Sequence, residues 1–164
     1  MTDSLSGGCQ CGAIRFQAQR LKDNSHVCHC RMCQKAAGNF FMALVGVPLE
    51  DFTWTRGQPS FFASSVKVKR GFCANCGTPL FFRHQDSQHI SMTIGSFDHP
   101  ENIPLAFELG IEAKLPQIAQ LGSIRNYGTT EENDPEGSKE IKQSSAQHPD
   151  QDTKDWTHSA SQNF

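Results

Sequence analysis

A chain of 164 residues, 37% hydrophobic and with a formal charge of −2, suits one domain and is too short for two ordinary cores. The charge is uneven, because residues 128–164 carry eight acids against three lysines, a balance of −5, while the preceding 127 residues carry +3. Neither portion has the basic stripe of a nucleic-acid binder, and no apolar run approaches the roughly 20 residues that span a bilayer. The expectation is therefore no nucleic acid and no membrane. Met1 to Gly8 also lacks the charged and apolar regions of a signal peptide, which points to the cytoplasm.

Read in chain order, the first feature is Cys9 and Cys11, two of seven cysteines that all fall within the first 76 residues. In a reducing compartment, clustered cysteines are metal ligands more often than disulfides, and seven would leave one thiol over. Ile14, Phe16 and Ala18 then alternate with Arg15, Gln17 and Gln19, the period of a half-buried strand. Cys28, Cys30 and Cys33 follow, running into a short helix expected from Arg31 to Ala37 and ended by Gly38. Phe40 to Val45 is a denser apolar run, read as a strand buried on both faces. Val66 and Val68 alternate with Lys67 and Lys69. With Arg70, these lysines read as the solvent face of a strand.

Cys73 and Cys76, with Gly77 behind them, form the third cluster. Two cysteines separated by two residues let one tight turn present both thiolates to a metal at about 2.3 Å. A glycine after the second tolerates the left-handed backbone that aims amide N–H groups at the sulfurs. Leu80 to Phe82 and Ile90 to Ile94 complete the strand candidates, with Gly and Pro between them at all-β spacing. Trp54, Phe61, Phe62, Phe81 and Phe82 read as core. Beyond Tyr127, Ser, Gln, Asp and Glu dominate. Such a composition buries too little to offset about 1–2 kcal/mol of backbone entropy per ordered residue. The expected organisation is one domain over 1–127 and a disordered acidic tail over 128–164.

Seven thiols divide naturally into four and three. Four close a tetrahedral zinc site, whereas three leave a position for water or substrate. Spacing leaves the grouping open, since Cys28 or Cys33 could join Cys73 and Cys76, and His26 or His29 could complete a second structural site. His29 points away from its cysteine neighbours if that segment is extended. Lys35 could attract an anionic thiol, and reads equally well as a solvated helix lysine. Asp98 and His99 could act as acid and base, although an Asp in such a turn more often only forms it.

The motifs in order, namely Gly7 to Phe16, Cys28 to Lys35, Phe72 to Phe81 and Gly95 to Pro100, resemble the glutathione-dependent formaldehyde-activating enzyme family, which also holds the centromere protein V domain. The resemblance spans roughly Ser6 to Lys114. It implies an all-β, Mss4-like β-tent with short helical turns. It also implies two zinc ions per chain: a structural one on Cys9, Cys11, Cys73 and Cys76, and a catalytic one on Cys28, Cys30 and Cys33. The activity implied is that of a carbon–sulfur lyase on small thiol adducts of the S-hydroxymethylglutathione type, with glutathione as the thiol. One edge departs from the family pattern. Phe107 and Glu108 stand near a position where members often carry histidine, and Leu115, Pro116 and Gln117 follow Lys114 without the usual tryptophan. Two other readings are a non-catalytic zinc-stabilised interaction module using the acidic tail, and a metal-free redox trio.

Overall fold

Side-chain alternation in short segments produces ten strands among residues 5–156, the part of the chain that the computed structural model describes. They are β1 (Leu5–Gly8), β2 (Arg15–Ala18), β3 (His26–Cys28), β4 (Met42–Pro48), β5 (Phe52–Arg56), β6 (Ser60–Ser65), β7 (Val68–Phe72), β8 (Pro79–His84), β9 (His89–Thr93) and β10 (Phe107–Leu109). A helix, α1 (Arg31–Ala37), lies between β3 and β4 and closes on Gly38 in the left-handed conformation. Both the span and the cap match the sequence expectation. Short 3-10 turns fill several connections.

The strands form two sheets, as the all-β tent expectation required. The smaller has the order β1-β2-β5 and the larger β10-β3-β4-β9-β8-β7-β6. Every paired neighbour is antiparallel except β10, which runs parallel to β3. The core lies where the sheets meet. Phe16 and Ala18 from β2 pack with Val45 and Val47 of β4 and Ile90 and Met92 of β9. Phe16 sits edge-on to Phe97 at 5.1 Å and Trp54 at 6.0 Å, a geometry that suits the aromatic quadrupoles. No described helix is long and apolar enough to cross a membrane.

Four expectations change. Phe61 and Phe62 are exposed rather than core, because β6 is the edge strand of the larger sheet. Val66 is 97% exposed at the turn between β6 and β7. The apolar run from Phe40 enters its strand only at Met42, leaving Phe40 exposed. Arg70 is not on a solvent face: it is 7% exposed and points into the domain.

The expected structureless tail also differs over its described part. Two helices, α2 (Thr130–Asn133) and α3 (Pro135–Ser144), begin on Thr129 and Asp134 side-chain caps. The chain then returns to the domain. The His148 amide donates to the Gln10 carbonyl at 2.7 Å, and Trp156 Nε1 donates to the Cys11 carbonyl at 2.7 Å. His148 covers Gly12 so closely that a Cβ there would lie 2.2 Å from its ring, and Gly12 has φ +75°; only glycine fits. Polar contacts anchor this segment where apolar burial could not. Asp152 receives the Arg15 guanidinium at 2.8 Å and Gln17 Nε2 at 3.0 Å. Because Asp152 is 40% exposed, Asp152→Ala is expected to cost only about 1 kcal/mol, read as a shift in urea midpoint at constant m.

Candidate metal centres

Two turns build the first group of sulfurs. The turn after β1 carries Cys9 and Cys11, and the turn between β7 and β8 carries Cys73 and Cys76. Each turn closes by a backbone bond to its first cysteine: Gly12 N–H donates to Cys9 O at 3.0 Å, three residues back, and Gly77 N–H to Cys73 O at 2.8 Å, four residues back. Gly77 has φ +79° with open space around it, so conformation and not crowding requires glycine there. A bond of 3.0 Å from Gln10 N–H to Thr78 Oγ1 ties the turns together.

The four sulfurs lie within 4.8 Å of one another. Tetrahedral bonds of about 2.3 Å to one zinc would set sulfurs about 3.8 Å apart. The Cys9–Cys11 and Cys11–Cys73 separations are 3.6 and 3.9 Å, so the donor set fits. Neutral donors surround it. Ile14 N–H reaches Cys9 Sγ at 3.3 Å, Asn75 Nδ2 reaches Cys11 Sγ at 3.1 Å, and Thr78 Oγ1 lies 3.2 Å from Cys76 Sγ. Burial pushes the Cys9 thiol far up, against one bond from Ile14 N–H. At Cys76 burial also raises the pKa, but the Thr78 hydroxyl and backbone N–H bonds outweigh it and bring the thiol down to about 6.

The second group forms where β3 runs into α1. Cys28 ends β3, Cys30 precedes α1 as its N-cap, and Cys33 sits in the first turn of α1. Their sulfurs also lie within 4.8 Å of one another. The seven thiols thus fall into the four and the three that the resemblance implied, and none is in a disulfide. Cys33 is buried, whereas Cys28 and Cys30 are partly open to solvent. Burial and the Cys28 thiol push Cys33 up to about 12, with Arg70 opposing. At Cys30 burial acts the same way, but the Cys33 backbone N–H and the neighbouring sulfurs outweigh it and lower the pKa.

Buried Gln34 fixes this arrangement: its Nε2 donates to His29 O at 2.7 Å and to Ala113 O at 2.8 Å, pinning α1 to the chain beyond β10. His29 is buried and not a donor in either group. Its Nε2 lies 3.1 Å from Glu108 Oε2, which also takes Lys114 Nζ at 2.7 Å. On the outer side of α1 is a cavity of about 380 Å³ lined by Arg31, Met32, Lys35, Phe62 and Arg70 among others. Lys35 is therefore at a cavity wall.

Asp98 is no free acid. Its carboxylate takes Arg15 Nη1 at 2.7 Å, Nη2 at 2.5 Å and Ser6 Oγ at 2.5 Å. His99 is exposed and bonds Glu101. Sequence reasoning missed Gln34, Phe62 and above all Arg70. The signal for Arg70 was its parity, since it stands two residues after the inward-facing Val68 on the same face of β7.

A two-sheet β fold that gathers four thiols in one group and three, partly open to solvent, in another defines a class of domain with two cysteine clusters that could each hold a metal ion. The chain belongs to the glutathione-dependent formaldehyde-activating enzyme family, whose model matches residues 4–109. It is 30% identical over 109 residues to a protein of Schizosaccharomyces pombe (strain 972) named an uncharacterized lyase, covering 66% of this chain and 79% of that one. A crystal structure of a Rhodobacter sphaeroides protein shares the fold, with a TM-score of 0.53 at 18% identity, covering 63% of this chain and 98% of the other.

Proposed function

We propose that the protein is a zinc-dependent carbon–sulfur lyase that acts on small thiol adducts of the S-hydroxymethylglutathione type in the cytoplasm. The observation that carries this reading is the division of seven free thiols into a well-fitted four and a partly exposed three flanked by a cavity. Membership of the family and the lyase name of the yeast relative support it. Cys9, Cys11, Cys73 and Cys76 would hold a structural zinc, and Cys28, Cys30 and Cys33 a catalytic one. Bound at the three, the metal supplies thiol binding as thiolate and polarisation of a carbonyl oxygen.

The chain's own residues do the rest. Arg31 and Lys35 give the cavity a positive wall that attracts a carboxylate-bearing thiol such as glutathione. Met32, Ala36 and Phe62 give it an apolar bed. Gln34 holds α1, and with it Cys30 and Cys33, against the sheet. Cleavage of an S-hydroxymethyl thiol breaks its C–S bond. The hydroxyl carbon becomes a carbonyl as its proton leaves, and the sulfur departs as thiolate or thiol; formation is the reverse.

Cys30→Ser is expected to weaken binding of glutathione by at least tenfold while the fold persists, measured by calorimetric titration beside the wild type. Equal affinities would sink this reading. The alternative of a non-catalytic interaction module relied on an acidic tail available to a partner. At Asp152 that charge already meets Arg15.

A further inference from the structure

Arg70 is a buried guanidinium with no carboxylate among its described partners. Its Nη2 donates to Cys33 Sγ at 3.4 Å, Nη1 to Met42 Sδ at 3.6 Å and Nε to Ser64 Oγ at 3.3 Å. Its face lies 5.0 Å from the centre of the Phe82 ring. A guanidinium stays protonated in any protein environment, and a buried cation needs an opposing charge. Of these four partners, only the Cys33 sulfur can carry that charge.

The two groups of sulfurs differ on this point. Among the described residues, the donors to the four are backbone N–H groups, the Asn75 carboxamide and the Thr78 hydroxyl, all neutral. The three have a full positive charge built into the wall between them and the cavity. Three thiolates around a divalent ion sum to −1, which weakens that ion as an electrophile. One guanidinium in contact with them returns the assembly to neutrality.

We propose that Arg70 is a positioning residue, the fixed counter-cation of the Cys28–Cys30–Cys33 centre, which holds Cys33 in place and sets how firmly and with what electronic character a metal sits there. This rests on the reading of the three as a metal centre. Met42 and Phe82 hold the guanidinium in one orientation, so its charge is delivered at a defined sulfur. Lysine could supply the charge but not the forked contact to both sulfurs and the serine.

The test loads the full-length chain with Co²⁺ and measures two things: stoichiometry with the affinity of each equivalent by chelator competition, and the sulfur-to-cobalt charge-transfer band of the weaker equivalent. Loss of a partner that supports a metal ligand typically lowers affinity about 10–100-fold. Arg70→Met is expected to weaken the second equivalent by that much and shift its band, with the first equivalent unchanged. Arg70→Lys is expected to stay within about tenfold of wild type. Unchanged affinity and band in Arg70→Met would overturn the role of Arg70 alone. A wild type that takes only one equivalent would overturn the metal reading as well. If Arg70→Met fails to retain even the first equivalent, Arg70→Lys decides, and complete loss of its second equivalent would overturn the charge argument.

Discussion

Cys73→Ser is expected to abolish cooperative unfolding of the domain, whereas Cys30→Ser leaves it intact. Cys73 is 1% exposed and packs with Cys9, Ile14 and Leu80 in a small cluster apart from the main core. That cluster joins the β1–β2 turn to the β7–β8 turn, and so links the smaller sheet to the larger. It has too little apolar surface to hold two irregular turns alone. Metal binding to such a thiol set is folding free energy, about 10–16 kcal/mol in small zinc domains, against a total stability of about 5–15 kcal/mol for an ordinary domain. Losing even part of it consumes the margin. The Cys28–Cys30–Cys33 group is different, because Gln34 pins α1 and Cys33, Met42 and Leu44 pack together without it. Thermal unfolding followed by circular dichroism, with metal content measured on the same samples, checks the contrast. Two-state unfolding of Cys73→Ser within about 1 kcal/mol of wild type would show that the four thiols are not a structural site. Graded chelation of the wild type should strip the partly exposed three first, with the fold surviving until the four give way.

The cysteine groups and α1 were legible because their determinants are local. Ligand spacing, a glycine past the last helical residue and period-two alternation all act within a few residues. What the sequence concealed depends on partners far along the chain. Arg15 stands on the outward parity of β2, yet it is 3% exposed because Asp98 and Asp152, 83 and 137 residues away, cover that face. The return of the tail rests on scattered polar contacts at Gln10, Cys11, Arg56 and Arg15, none of which leaves a hydrophobic pattern. Phe61 and Phe62 are as apolar as any core pair, and only the order of strands puts β6 at an edge. Arg70 was legible by parity but outweighed by its two lysine neighbours. A charged residue on an inward face was the clue, and its meaning depended on finding Cys33 opposite.

Asp98→Ala is expected to cost about 3 kcal/mol, the lower end of the range for breaking a buried ion pair. The Asp98 and Arg15 side chains are 5% and 3% exposed and share two short bonds, so removing the carboxylate leaves the guanidinium buried. Asp152 still faces Arg15 from the other side, which keeps the loss from the upper end. The same contact joins Ser6 of β1 to the turn after β9, because Asp98 N–H also donates to Ser6 O at 3.0 Å. The pH dependence separates this charge effect from a simple packing loss. Burial pushes the Asp98 carboxyl upward, but the bonds from Arg15 and Ser6 outweigh it and hold the pKa below the usual carboxylate range. A carboxyl depressed on folding stabilises the native state fully above its unfolded value, about 3.9 for an aspartate, and that contribution disappears as pH falls through the folded value. The gap between wild type and Asp98→Ala should therefore be flat from neutral pH down to about 5 and close progressively below about 4. Acid would also release any thiolate-bound metal, but from both proteins alike, so the quantity to follow is the difference in urea midpoint between them at each pH. A gap that stays constant into the acid range would mean that the side chain acts through shape and not through its charge on Arg15.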